Sequence, residues 1–445
     1  MTLSHKKIYP FNNYECVVFA GAGAAGGIYI GAFNEMHRRG YTKNIKAVGG
    51  SSAGAIVALA IGLGWRGEAL EDRLLRQDYA DFLKIDFNEL LGIFKNIRHR
   101  SGVLSGKELR RWGQEMMAER LGNPRLDFAG WKEYQEAAKR QDLAFFEEKF
   151  NQATAPKQKA DTATLIERPD FVFDFNSPAE LMANAASLLE LRVMGAKATR
   201  ETAVDENGKP QRIDKVKKRI FSATESPTVP IAQAVKASAS YPFVFRQTDI
   251  EGELHTDAGV AEHTPFSLFA AEAQQGKVLG FNTDHFIRHA PIQPKPLAPH
   301  LQRLKKVLLG DTSPTEAAQQ FLGWVFSQKR LAYTEELLSR SKQAILDDPL
   351  LRRNTLTLDR GNVGSTDFLA VGKPENRWLM ESSRKTTAAD ITRFEHAEEK
   401  SRLMRENPPP LPHQRTPKKF PRIIGQRPTH PRISTSDPNT PQQGR

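Results

Sequence analysis

The stretch "VGGSSAGAIVALAIGLG", Val48 to Gly64, holds Gly50-Ser51-Ser52-Ala53-Gly54, a G-x-S-x-G between a short apolar strand and a helix of small residues. A strand that turns directly into a helix leaves room only for small neighbours, and the turn lifts the serine side chain out at the helix N-terminus. There the helix dipole and the N–H groups of the first turn favour a developing negative charge. Ser52 is therefore a candidate nucleophile, with Gly50 and Gly54 as the glycines of its elbow. Five residues match such a pattern by chance often enough that the flanking sequence has to decide.

Upstream, "VVFAGAGAAGGIYIGAF", Val17 to Phe33, runs an apolar strand into a loop with a literal G-x-G-x-x-G at Gly21, Gly23 and Gly26. Three readings compete for it. As a membrane span, Cys16 to Phe33 lacks charge, and Lys6 and Lys7 imitate the basic start of a signal peptide. Pro10, Asn12, Asn13 and Glu15 intervene, however, and so many glycines make a poor isolated helix. A dinucleotide loop asks for an acid roughly 20 residues further on to hold the ribose. "TKNIKAVGGSSAG", Thr42 to Gly54, has none. In the third reading, two neighbouring βα turns of one parallel sheet lie side by side, so the amides of Gly21, Ala22, Gly23 and Ala24 face Ser52. Small residues there let the backbone approach an acyl carbonyl and aim N–H groups at its oxygen. We expect an oxyanion loop, opening a helix from about Gly26 to Arg39.

Composition bounds the rest. With 445 residues, 39% of them hydrophobic, the chain has room for one large or two ordinary domains. The single cysteine, Cys16, excludes an intrachain disulfide framework and a Cys-based zinc site, and suits a buried strand position in a reducing compartment. The formal charge of +12 hints at nucleic acid or an anionic membrane, but the residues from Lys400 onward contribute most of it, leaving the folded part nearly balanced. That end, rich in proline and polar residues, reads as a disordered tail over 399–445. Its PPPLP run fits an SH3-like domain and its Arg/Lys an anionic lipid. No nucleic-acid partner, metal cluster or cofactor is expected.

A serine needs a base, and the chain offers eleven histidines. His5, His413 and His430 lie in the ends; His37 and His99 sit among basic residues; His285, His289 and His300 fall in or near a proline-bearing stretch. His255 and His263 stand apart, in "EGELHTDAGVAEHTP", with Asp257-Ala258-Gly259 between them. A histidine base would make this an esterase of the α/β-hydrolase type, in the chain order serine, acid, histidine. Those folds usually set several strands before the elbow, and this chain has space for one or two.

At this point "FAGAGAAGGIYIGAF", "GGSSAGAI" and "AVKASASYPFVFRQTDIEGELHTDAGVAEHTP" together resemble, in order, the three signatures of the patatin-like phospholipases: glycine-rich oxyanion loop, serine elbow, and Asp-Gly block. The resemblance covers most of residues 14 to 370. It implies an α/β, three-layer fold with a mainly parallel central sheet flanked by helices, plus a helical C-terminal region. It makes Ser52 the nucleophile, Asp257 its partner in a Ser–Asp dyad, Gly21, Ala22 and Gly23 the oxyanion loop, and Gly259 the turn after the acid. Ala22 stands where the family has glycine, Ala25 where it has Lys or Arg, Ala258 in the Asp-Gly-Gly/Ala block, and His263 where it often has Asn. Ala22 and Ala258 suit their turns only at negative φ.

The expected organisation is an N-terminal arm over 1–13, a catalytic domain over 14–290 with a helical insertion over 64–165, and a helical region over 291–398. Strands return near Arg192 to Thr199, Arg219 to Ala223 and Val278 to Phe281. "FNELLGIFKNIRHR" has the apolar face and basic end of an interfacial helix, although ordinary core packing is the favoured explanation. Helices from His300 to Leu346 should cover the sheet. The resemblance implies hydrolysis of fatty-acyl esters of membrane glycerophospholipids, of phospholipase A or lysophospholipase type, with a phospholipid surface and a protein activator as partners. A module that keeps the fold and binds lipid or a partner with little catalysis is the rival from another class. The expected location is cytoplasmic with peripheral membrane association, or a host cytosol reached as a secreted effector.

Overall fold

Val17, Val18 and Phe19 are fully buried on both sides of the chain, the pattern of a strand covered on both faces in a parallel sheet. The computed structural model describes residues 9–76, 104–204, 210–242, 244–283, 343, 347–361, 363 and 373–406. Among the described residues eight strands form one sheet: β1 (Cys16–Phe19), β2 (Ala47–Gly50), β3 (Glu190–Val204), β4 (Pro210–Phe221), β5 (Thr248–Ile250), β6 (Glu253–Thr256), β7 (Val278–Thr283) and β8 (Thr355–Leu358). Their order is β5-β6-β3-β2-β1-β7-β8, with β4 paired to β3. The run from β3 to β8 through β2, β1 and β7 is parallel, while β4, β5 and β6 add antiparallel pairs.

The register explains how two residues distant in sequence meet. β4 and β2 pair with Val193 from opposite sides, as β4 and β6 do with Ala196, so β2 and β6 lie along the same edge of β3. β2 is parallel to β3 and β6 antiparallel, so they run toward each other. Their tips deliver Ser52 and Asp257 into the gap between them. β1 flanks β2 with Phe19 opposite Gly50, which sets the glycine loop beside the elbow.

The described helices are α1 (Ile28–Arg38), α2 (Ala53–Gly62), α3 (Gly67–Leu75), α4 (Lys107–Leu121), α5 (Phe128–Lys139), α6 (Leu143–Thr154), α7 (Pro156–Leu165), α8 (Pro178–Ala186), α9 (Ile231–Ser238), α10 (Ala270–Gln274), α11 (Pro349–Arg353) and α12 (Lys373–Glu406). Alternation along β1 divides the core between the two faces of the sheet. Val17 and Phe19 join Ile28, Tyr29, Phe33 and Phe281 on one face; Cys16 and Val18 join Met194, Phe266 and Phe269 on the other. This is the α/β layered architecture expected of the sequence. Among the described residues no helix is long and apolar enough to cross a membrane, and the uncharged run from Cys16 is a strand, a turn and a helix instead.

Several expectations need correction. Residues 9–13 are no arm: Tyr9 and Phe11 are buried, and the Tyr9 hydroxyl donates to the Thr355 carbonyl. The strands expected near Arg192 to Thr199 and Arg219 to Ala223 are the roots of a longer antiparallel pair, β3 and β4, matched from Val193–Phe221 to Val204–Pro210. Helices α3 to α7 fall between residues 64 and 165, "FNELLGIFKNIRHR" lies outside the described residues, and so do nearly all of the helices expected from His300 to Leu346. Contacts divide the chain into residues 1–397 and 398–445. In the second unit residues 398–406, most of them assigned to the tail, are helical: Arg402 pairs with Glu399 at 2.7 Å and Glu406 at 3.8 Å, one turn either side.

Candidate active site

The elbow is tight because its glycines are in contact with backbone. A Cβ at Gly50 would lie 2.2 Å from the Gly54 carbonyl oxygen, and one at Gly54 2.2 Å from that of Phe19. Between them Ser52 sits at φ 54 and ψ −129, strain for a residue with a side chain. Its amide donates to Ser238 Oγ at 3.0 Å, which helps hold that conformation. Ser52 thus caps α2 from outside and presents Oγ at the helix N-terminus.

The Ser52 hydroxyl donates to Asp257 Oδ2 at 2.6 Å. The other carboxylate oxygen accepts the Gly259 amide at 2.8 Å, and the Asp257 amide donates to the Ser240 carbonyl at 2.9 Å. Asp257 is 1% exposed and Ser52 8%. Burial pushes the Asp257 carboxyl up to about 7, against the lowering effect of the bonds from Ser52 and Gly259. Near 7 it can accept a proton far better than an ordinary carboxylate. Ala258 is in a short 3-10 turn at negative φ, so the block needs no second glycine there.

The glycine loop lies beside the elbow, a Cβ at Gly21 standing 3.4 Å from Ser52 Cβ, and not all of its amides are open to a ligand. Gly21 is not a free donor, because its amide gives its hydrogen to the His263 carbonyl at 3.1 Å. That carbonyl also accepts from Ser51 Oγ at 2.6 Å, tying loop and elbow to the segment after Asp257. Ala22 has φ −137, the negative value an alanine requires, and Gly23 has φ +55, which needs glycine. A 3-10 helix, Gly23–Gly27, follows, its first bond running from the Ala25 amide to the Ala22 carbonyl. The amides of Gly23 and Ala24 precede that bond and have no acceptor within the turn. Ala53 N–H, at the start of α2, likewise precedes the first bond of its helix. Ser51, Ser238, Ser240 and Ala53 escaped the motif reading; Ser238 and Ser240 stood in the quoted "AVKASASYP" but nothing local assigned them a bond.

The Ser52 hydroxyl is hydrogen-bonded to Asp257 and to neither of the two histidines. His255 is buried, donates from Nδ1 to the Glu253 carbonyl at 2.8 Å, and has Nε2 3.5 Å from Arg219 Nη1; burial holds its imidazole below the usual range. The His263 ring covers Gly21, 3.3 Å from where a Cβ would stand. Beyond Ser52 and Gly23 opens an apolar cleft lined by Ile56, Val57, Leu74, Leu109, Tyr241 and Phe245. No group of three or more His, Cys, Asp or Glu suited to a metal ion occurs among the described residues.

The buried carboxyl gives a pH test. If Asp257 must be ionised to act, kcat/KM on a soluble ester rises with pH, reaches half its plateau at about 7, and falls about tenfold per unit below that. A half-maximum near pH 4 would mean that the titrating base is an ordinary solvated carboxyl.

The profile of the patatin-like phospholipases matches residues 17–270. The uncharacterized protein R571 of Acanthamoeba polyphaga mimivirus is 45% identical over 51 residues, which are 12% of this chain and 17% of that protein. Among solved structures, VipD from Legionella pneumophila is 17% identical, with 83% of this chain and 67% of that one covered and a TM-score of 0.39. The heterodimeric complex ExoU-SpcU from the type III secretion system of Pseudomonas aeruginosa gives 18%, 88%, 78% and 0.28. The profile spans more than half of the sequence and contains loop, elbow and Asp257 alike, and on that ground the chain belongs to the patatin-like phospholipase family.

Proposed function

We propose that the protein is a serine acyl hydrolase that cleaves fatty-acyl esters of membrane glycerophospholipids, of phospholipase A or lysophospholipase type, through Ser52 and Asp257. The observation that carries this reading is the 2.6 Å bond from the Ser52 hydroxyl to a buried carboxyl, made at a strained strand-to-helix turn. Asp257 takes the Ser52 proton as Oγ attacks the ester carbonyl, and the amides of Gly23 and Ala24 receive the charge on its oxygen. The protonated Asp257 then returns its proton to the leaving alcohol, which departs and leaves an acyl-enzyme. Water, deprotonated by the same carboxylate, attacks the acyl carbon, and collapse of the adduct frees the fatty acid and restores Ser52. The apolar cleft suits an acyl chain better than a polar substituent.

Purified full-length protein incubated with mixed phospholipid vesicles, with and without eukaryotic lysate, tests this. Release of free fatty acid with lysolipid supports the reading, and a requirement for lysate identifies an activated enzyme. Vesicle binding with no fatty acid released under either condition points instead to the lipid-binding module, a reading favoured by one observation: a buried Ala25 stands where the family has a cation.

A further inference from the structure

Helix α1 grows directly from the 3-10 turn that bears Gly23 and Ala24, so wherever α1 sits, those amides go with it. α1 rests on α2, on α3 through the Asn34 amide bonded to Gly67 and Glu71, and on α12, which lies outside the family-matched residues 17–270. A Cβ at Gly31 would lie 1.8 Å from the Met380 carbonyl oxygen and 2.5 Å from Ser383 Oγ; one at Gly27 would lie 2.8 Å from Asn376 Oδ1. The helices therefore touch backbone to backbone at Gly31, with Asn376, Met380, Ser383 and Thr387 buried along one face of α12. Beyond the C-terminal end of α1 the seat is polar: Arg39 Nη1 donates to Thr392 Oγ1 at 3.1 Å and Glu395 Oε2 at 2.9 Å, and Tyr41 donates to Glu395 Oε1 at 3.1 Å. Arg384 of α12 also pairs with Glu71 of α3. α12 is thus fastened at the start of α1 and just beyond its end.

We infer that the segment Asn376–Ser383 of α12 is a positioning element for the oxyanion loop, acting through its contact with Gly27 and Gly31. The inference rests on the acyl-hydrolase reading above. Donors to an oxyanion act only within a narrow range of distance, and a misplacement of about 1 Å costs roughly a hundredfold in rate. Displacing α1 from its seat moves the amides and leaves Ser52 and Asp257, which hang from β2 and β6, where they are.

The test uses the full-length chain on a soluble ester, with folding checked by circular dichroism. Gly31→Ala forces a methyl against a backbone oxygen, so kcat should fall about ten- to a hundredfold with KM within about threefold. The half-maximum of the acidic limb should stay near pH 7, because a fold that had merely loosened would let water reach Asp257 and lower it. Gly27→Ala presses only on the Asn376 amide and should cost a few-fold. Asn376→Ala loosens the same contact at a similar cost, and the double variant should be no slower than either single one. This pair keeps the test open if Gly31→Ala does not fold. A folded Gly31→Ala with wild-type kcat, a loss confined to KM, a shifted acidic limb, or additive losses in the pair would each overturn the inference while leaving the hydrolase reading intact. A wild-type protein without esterase activity would overturn that reading and the inference with it.

Discussion

Ser52→Ala should reduce ester hydrolysis to background, a loss of about 10⁴-fold or more, and eliminate labelling by a fluorophosphonate. The proposed chemistry passes through Oγ, and alanine leaves the oxyanion amides and the cleft with nothing to attack. Losses at a nucleophile are large because the remaining machinery acts only on the tetrahedral adduct that the nucleophile forms. The fold should tolerate the change. Ser52 holds φ 54 by its backbone and by the bond from its amide to Ser238, neither of which needs the hydroxyl. Thermal unfolding should be nearly unchanged, and a Ser52→Ala protein retaining a tenth of the activity would rule out Ser52 as the nucleophile.

Asp257→Asn should lower kcat/KM by about 10³- to 10⁴-fold, whereas His255→Ala and His263→Ala should cost far less. Asparagine keeps the shape of the carboxyl but cannot take the Ser52 proton, so it tests basicity rather than packing. If Asp257 merely oriented a histidine, removing that histidine would be about as damaging. A folded but inactive His255→Ala would revive the triad reading. The same Asp257→Asn variant carries a stability signature. Asp257 is raised from the ordinary value of 3.8 to about 7 by burial, so the fold favours its neutral form. That preference is fully satisfied below about pH 4 and is lost as the pH rises through 7. At about 1.36 kcal/mol per unit, ionising the buried group costs on the order of 4 kcal/mol above pH 7. An uncharged amide escapes this, so the stability of Asp257→Asn relative to wild type should grow from pH 4 to 7 and level off beyond. Activity lost and stability gained at one position is the mark of a buried base.

What could be read from the sequence was what the backbone demands locally. Gly50 and Gly54 are glycines because a Cβ at either would collide with a carbonyl a few ångströms away, and a strand-to-helix turn advertises that need in five residues. Gly23 is legible for the same reason, through its positive φ. Bonds closed across the sheet were not legible. Nothing near Gly21 says that its amide is spent on His263, or that Ser238 and Ser240 hold the backbones of Ser52 and Asp257. Tyr9 and Phe11 looked like an arm because the partners that bury them, Thr355 for the Tyr9 hydroxyl and Tyr41 and Phe394 for the Phe11 ring, lie elsewhere in the chain. The length of β3 and β4 is hidden by charge: Lys217, Lys218 and Arg219 interrupt any apolar alternation, yet an edge strand tolerates such residues well.

The most direct test of the central claim is to react the folded full-length protein with a fluorophosphonate at pH 8 and map the adduct by peptide mass spectrometry. A single adduct is expected, on Ser52, formed far more slowly in Asp257→Asn and absent from Ser52→Ala. An adduct on another serine, equal labelling of the Asp257→Asn protein, or none at all in the folded wild type would contradict a Ser52–Asp257 dyad.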